Sequence, residues 1–559
     1  MIETWRPIAK EAQDYRDSTI AELPGSIPKT LPNLPKKVVE ILPELLPAVE
    51  TTIVCLSTSS LVNQISGGRI SASDATMAYL KRAAMAQQLT SCITELLPET
   101  ALSRARHLDE FWAEHKKPIG PLHGLCISVK ECIGMQGLRL SSGYCTFWNH
   151  PPPKSDALVL RILTRAGAIF HARTTVPQTM AQLETVSSLW GTTVNPWNTD
   201  TSSGGSSGGE SALIACGGSV LGIGTDTAGS VRIPAAACGL YGFKPTAFRI
   251  PTIGWSSTLP GADTLLTTLG PLCKDLDGIE LFMQPSLIPM LWTPVEISAS
   301  AEMPLRIGIM WHDEVVLPHP PINRALKNIV SRLSVLPNIA IADFKPYKHD
   351  EAWAIFSSLY FTDGGAEEHE LLSRMGEPMQ PLAKWIIDDN PCVNKLTREE
   401  QDYWLEKREE YRIEYVKHWN ETGSFNDQNG KWEGTFDVII CPVAPWVASR
   451  HGTARYMSYT SVWNLLDYPA LAVPTSEFEI DGFVDKNLDG AERTEDFVSD
   501  VDEEMRQMWD PEFYHGMPLS LQLVTRRFQD EKLIAITRYL RDQFRESVDI
   551  LGDSDSMQL

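Results

Sequence analysis

Nine of the 26 residues from Gly204 to Gly229 are glycine, against 37 in all 559 positions of the chain. Glycine adopts φ > 0 and admits close backbone approach at an entropic cost, so such density belongs where the main chain turns sharply or must come near something. The stretch reads Gly204-Gly205-Ser206-Ser207-Gly208-Gly209-Glu210, and further on Thr225-Asp226-Thr227-Ala228-Gly229-Ser230-Val231-Arg232-Ile233-Pro234. Two hydroxyls, Ser206 and Ser230, stand 24 positions apart in it. The pattern between them predicts a helix over Glu210–Cys216, a strand over Ser219–Gly224, a tight turn, and a second helix from near Ser230.

The same alternation recurs along the chain. Residues Ser57 to Ala86 are helical in pattern, with Ser73 or Asp74 as the cap of a helix carrying Met77, Leu80 and Ala84. Leu125 to Lys130 alternates as a strand, with Cys126, Ser128 and Lys130 on one face. Ser155-Asp156 caps a helix, and Ala168 to Ala172 follows as a strand; Phe436–Pro442 and Gly516–Val524 are further apolar strands, the latter before a helix from Asp530. These elements predict α/β: a single large α/β/α sandwich around a mixed, mainly parallel twisted sheet. Residues 1–55, broken by six prolines from Pro24 to Pro47, form an N-terminal helical extension, 56–550 the main domain, and 551–559 a tail. Residues 395–420 predict a solvated charged helix, and the acidic stretch 477–512 a surface excursion.

Bulk properties exclude several classes. A net charge of −22 disfavours nucleic acid or an anionic membrane as the main partner. The ten cysteines are scattered without a C-x-x-C pair, which predicts free thiols in a reducing compartment. No run approaches the ~20 apolar residues of a membrane helix, and the start lacks a basic-then-apolar leader, so a soluble cytoplasmic protein is expected. Neither a phosphate loop nor a metal-ligand spacing such as H-E-x-x-H occurs, and no cofactor is expected.

The chemistry concentrates in the turn before Ser230. A helix starting there would leave the N–H groups of Thr227, Ala228, Gly229 and Ser230 as donors to a developing oxyanion. A serine hydroxyl needs a base to attack a carbonyl. His123 and His171 read as structural residues at strand ends. Lys130 ends an apolar strand, where it is either a buried base or a side chain snorkelling to the surface. An unshifted lysine is neutral at pH 7 only about once in 2,500 molecules, so the first role demands burial.

At these residues a resemblance appears. Gly204-Gly205-Ser206-Ser207-Gly208-Gly209, followed by Asp226-x-x-Gly229-Ser230-x-Arg232-x-Pro234, resembles the signature of the amidase signature family. Pro121-Leu122-His123-Gly124 leading into Ser128-Val129-Lys130-Glu131 resembles that family's lysine motif. Val176 to Met180, Asn195-Pro196-Trp197-Asn198 and Gly516-Met517-Pro518 also fit. Leu317 to Pro321, Pro346 to Asp350 and Ala83 to Thr90 are similar to its fungal acetamidase branch.

The resemblance implies a Ser–cisSer–Lys triad: Ser230 as nucleophile, Lys130 as ultimate base, and Ser206 between them, after a cis bond from Gly205. Thr227, Ala228 and Gly229 would supply the oxyanion hole. Asp226 and Arg232 would brace the loop, and Ser207 would join the relay or, like them, be purely structural. Many members carry glycine where this chain has Ala228, which narrows the space for substrate. Met180, Trp255 and Trp446 are the candidates for pocket walls. The implied activity is hydrolysis of a small carboxamide to acid and ammonia or amine, and the resemblance is compatible with a homodimer. Two other readings exist: a glutaminase-type subunit of a transfer-RNA amidotransferase, and a serine hydrolase with Ser206 in a G-x-S-x-G elbow. That elbow needs a preceding strand, which Asn195 to Ser202 does not resemble.

Overall fold

The computed structural model describes residues 4–24, 35–256, 263–286, 290–480, 484–485 and 497–551. All but the first residue of the expected tail 551–559 lies outside this range, as does part of the acidic stretch 477–512; within the described part of the latter, Asp500–Gln507 is a helix.

Eleven strands form one sheet: β1 (Ile93–Leu96), β2 (Cys126–Lys130), β3 (Ile169–Thr174), β4 (Leu221–Asp226), β5 (Tyr241–Lys244), β6 (Thr268–Cys273), β7 (Leu305–Ile309), β8 (Ile339–Asp343), β9 (Val438–Pro442), β10 (Ala470–Glu479) and β11 (Pro518–Val524). Their spatial order is β1-β3-β2-β4-β6-β5-β10-β11-β9-β7-β8. The α/β class and the mixed sheet match expectation, but "mainly parallel" does not. Parallel pairing is confined to β3/β2, β2/β4, β9/β7 and β7/β8. The other six junctions are antiparallel. Strands buried on both faces read as continuous apolar runs whichever way they point, so the sequence pattern does not carry their direction.

That double burial is visible residue by residue. On β9, Val438 and Ile440 enter one apolar core while Ile439 and Cys441 enter another. On β10, Leu471 faces the first, Ala470 and Ala472 the second. This is the period of two expected of a strand with helices on both sides.

Local capping explains where several helices differ from expectation. The 57–86 segment divides into Thr58–Ser66 and Ala72–Thr90 at Gly67-Gly68; Ser71, not Ser73 or Asp74, caps the second by accepting from the Asp74 N–H. The charged helix runs Arg398–Asn420 from a capping box of Thr397 and Glu400. It is not wholly solvated, because Tyr411, Tyr415 and Trp419 are buried.

The N-terminal helix Trp5–Ala21 packs against β1. Tyr15 Oη donates to Glu95 at 2.7 Å, and Glu95 in turn pairs with the buried Arg173 at 2.5 Å. All ten cysteines are free, and eight are buried. Among the described residues no helix is long and apolar enough to cross a membrane, and no group of three His, Cys, Asp or Glu is placed to hold a metal ion.

Candidate active site

The three triad candidates come from three different elements. Lys130 is the last residue of β2 and is fully buried. Parallel pairing sets Ile127 beside Leu221, Ser128 beside Gly222 and Val129 beside Ile223, which brings Lys130 level with the end of β4. Its Nζ lies 2.7 Å from Ser206 Oγ and 2.7 Å from Thr225 Oγ1. No carboxylate lies within ion-pair distance of it among the described residues. Burial lowers its pKa from the usual lysine value to about 8, although Cys132, Asp226 and Glu210 act the other way. The snorkelling alternative is excluded, since Lys130 has no solvent exposure.

Ser206 follows a cis peptide bond from Gly205. Gly205 is glycine by necessity: a Cβ there would lie 2.5–2.7 Å from backbone atoms of Gln182, Leu183 and Glu184. Ser206 is 1% exposed and Ser230 7%, so Ser230 is the most exposed residue of the three. The two serine loops are stitched together by the Ser207 N–H, which donates to Ser230 O at 3.1 Å. Ser207 Oγ turns instead toward Thr225 O, at 3.5 Å.

The turn after β4 is held by a buried ion pair. Asp226 accepts from Arg232 Nη2 at 3.0 Å and Nε at 3.1 Å, and from Asn464 Nδ2 at 3.0 Å. Burial opposes its charge, but the Arg232 guanidinium, the Asn464 amide and the Lys244 charge together hold the carboxyl well below the usual range. Arg232 further donates to Thr460 O, Asn464 Oδ1 and Gln522 Oε1.

One donor expected to face substrate does not. The Gly229 N–H donates to Asp226 Oδ1 at 2.8 Å, and Val231 N–H to Oδ2 at 3.2 Å. The helix beyond this turn starts at Arg232, two residues later than the sequence pattern suggests. Thr227, Ala228 and Ser230 are left with N–H groups that no backbone or side-chain acceptor engages among the described residues. The Ala228 carbonyl is fixed by Thr460 Oγ1 at 2.6 Å.

The pocket candidates separate. Met180 is half-buried at φ +54, two residues before the segment that walls Gly205. Trp255 is half-buried and bridges to Ile133, three positions beyond Lys130. Trp446 is 6% exposed in the apolar core, after β9. His123 and His171 are buried, and their bonds go elsewhere: His123 Nδ1 accepts from Ile119 N–H, and His171 Nε2 is bonded to Gly218 O. Sequence reasoning missed Thr225, although it stands inside the glycine stretch, and Thr460, Asn464 and Gln522, which are more than 200 residues away and carry no local signal.

Known proteins resemble this chain along most of its length. The family model described as Amidase matches residues 74–534. The acetamidase of Emericella nidulans is 36% identical over 563 residues, covering 96% of this chain and 97% of that protein. The acetamidase of Aspergillus oryzae is 37% identical over 509 residues, covering 88% and 90%. The structure of a fatty acid amide hydrolase superposes with a TM-score of 0.85 at 29% identity, over 96% of this chain and 95% of that one. From the matched span and from relatives alike along nearly their whole length, the chain belongs to the amidase signature family of amide hydrolases.

Proposed function

We propose that the protein hydrolyses a small carboxamide through an acyl-enzyme on Ser230. The observation that carries this reading is the buried Lys130 amine, which faces two hydroxyls and no carboxylate. A buried ammonium without a counter-charge favours its neutral form, and a neutral amine at 2.7 Å can accept the Ser206 proton. Ser206 then takes the proton of Ser230 as Ser230 Oγ attacks the amide carbon. The N–H groups of Thr227, Ala228 and Ser230 supply the oxyanion donors. As the C–N bond breaks, the proton returns through Ser206 to the leaving nitrogen, and water releases the acid in a second addition.

Small aliphatic amides are the substrate class favoured by the acetamidase relatives and by the methyl group of Ala228 beside the donors. Ten unpaired cysteines favour action in the cell interior. The elbow reading of Ser206 has no support, since no strand precedes it and its hydroxyl is bound to Lys130.

A fluorophosphonate that reacts with activated serines is expected to add once per chain, and peptide mass spectrometry should place the adduct on Ser230. Modification at Ser206 with Ser230 untouched would overturn the assignment. The pH profile supplies a second check. At pH 7 about one Lys130 in ten is neutral for a pKa near 8. With the neutral form as base, kcat/KM should climb about tenfold per pH unit below pH 7 and level off above about pH 8.5. A flat profile from pH 6 to 10, with chemistry rate-limiting, would contradict Lys130 as base.

A further inference from the structure

Beneath the lysine lies a second buried titratable group that the mechanism above does not use. Glu210, in the helix Gly208–Ala215, has no exposed surface. Its Oε2 accepts from Ser128 Oγ of β2 at 2.5 Å, and its Oε1 from Thr174 Oγ1 of β3 at 2.7 Å. Gly222 of β4 makes the room: a Cβ there would overlap Oε2. The carboxyl is thus enclosed by three strands and its own helix, and no cation lies within ion-pair distance among the described residues. Ser128 is two positions before Lys130, so the Glu210 carboxyl it bonds lies on the face of β2 from which Lys130 projects, and the charges of Glu210 and Lys130 act on each other.

The groups around this pair separate cleanly. Asp226, at the end of β4, is matched by Arg232. Cys132, just past β2, and Cys92, after the helix Ala72–Thr90, are pushed by burial up to about 11 and about 12, and stay neutral thiols. Arg173 of β3 is paired with Glu95 and Glu131. Burial raises Glu210 to about 8, against the pull of Ser128, Thr174 and Lys130, which puts it in the range of the lysine.

The hydrogen bonds decide which member of the pair yields first. Ser128 and Thr174 present hydroxyl donors to Glu210, which favour a carboxylate. Ser206 and Thr225 present hydroxyl acceptors to Lys130, which favour an ammonium. Starting from a carboxylic acid beside an ammonium, loss of one proton therefore leaves carboxylate and ammonium, rather than carboxylic acid and amine. Two such groups titrate as a unit.

We propose that Glu210 is a positioning residue for the reaction: its buried carboxyl gives up its proton before Lys130 does, and the resulting carboxylate holds the last proton on the amine. Glu210 then sets how alkaline the solution must be before the base works. The inference rests on the reading of Lys130 as base.

The test uses the full-length enzyme in two variants. Glu210→Gln removes the charge with little change of shape. Ser128→Ala removes a donor that stabilises the carboxylate, and serves if Glu210→Gln does not fold. Both are expected to move the midpoint of the rising limb of kcat/KM to lower pH by about half a unit or more, because neither retains a full carboxylate beside the amine. The midpoint, not the plateau, is diagnostic; a residue that merely supports the fold would change the rate without moving it. Difference infrared spectroscopy should show a carboxylic-acid C=O band near neutral pH that vanishes in Glu210→Gln and fades as the pH rises. A limb present in wild type and unmoved, or moved upward, in the variants overturns the inference alone, as does absence of that band. If wild type has no rising limb, Lys130 is not the base and the inference falls with it.

Discussion

Replacing Lys130 with methionine is expected to lower kcat/KM for amide hydrolysis by about 10³-fold or more, while leaving the protein folded. General-base catalysis is commonly worth about 10²–10⁴-fold, and here the lysine must also return the proton to the leaving nitrogen. Methionine has nearly the same length and suits a fully buried site, so the loss can be assigned to the missing amine. Stability gives the contrast. Folding lowers the pKa of Lys130, so the folded chain binds fewer protons than the unfolded chain between about pH 8 and the usual lysine pKa. The resulting penalty is fully present below pH 8 and disappears as the pH rises through that window. Lowering a lysine pKa to about 8 corresponds to about 3 kcal/mol, part of which is offset when Ser206 and Thr225 lose the amine. Lys130→Met should therefore be inactive yet about as stable as wild type at pH 7. Ser206→Ala and Ser230→Ala should also lose most activity, and Lys130→Met/Ser230→Ala should be little worse than Ser230→Ala, because members of one relay fail as a unit. Wild-type rates in Lys130→Met or Ser230→Ala would end the proposed mechanism.

The site was legible in sequence where its parts are local and opaque where they are not. Gly204 to Gly209 and Asp226 to Pro234 each lie in one continuous segment, so the turns there could be read from glycine spacing. Lys130 stood out because an ammonium at the end of an apolar strand is anomalous. Its two acceptors were less accessible. Thr225 is reached only because β2 and β4 pair in parallel with Lys130 level with the end of β4, and that register is not written in either strand. The engagement of the Gly229 N–H by Asp226 also escaped, as did the start of the helix at Arg232 rather than Ser230. Strand direction failed for a related reason. Ala470 to Ala472 and Val438 to Cys441 each divide between two cores, and a strand buried on both faces carries no mark of its neighbour's direction. In the sequence Glu210 is only the residue after a glycine run, and it is the packing of three strands around it that leaves a carboxyl without a cation in ion-pair range.

The largest loss of stability is expected from Arg232→Met. Arg232 and Asp226 are both fully buried, and the guanidinium also satisfies Thr460 O, Asn464 Oδ1 and Gln522 Oε1. Removing one partner of such a pair leaves an uncompensated buried charge, at a cost of about 3–5 kcal/mol. The sign of the pH dependence follows from Asp226. Its carboxyl is held below its unfolded pKa in the wild type, so its contribution is present above that value and is lost as the pH falls through the depressed folded one. Without Arg232 the carboxyl is no longer depressed, and burial favours its protonated form. The deficit of Arg232→Met relative to wild type should thus be largest near neutral pH and shrink toward pH 4 and below, which urea midpoints across that range would record. Adding Asp226→Asn should recover part of the loss, because the orphaned charge is then gone, and the coupling between the two changes should be of order 1–3 kcal/mol. Activity should not recover with it. The Asp226 carboxylate accepts the Gly229 and Val231 N–H groups on either side of Ser230, and an amide at that position can accept with one atom only. An Arg232→Met variant within 1 kcal/mol of wild type at pH 7 would mean that the turn carrying the nucleophile is braced by something other than this ion pair.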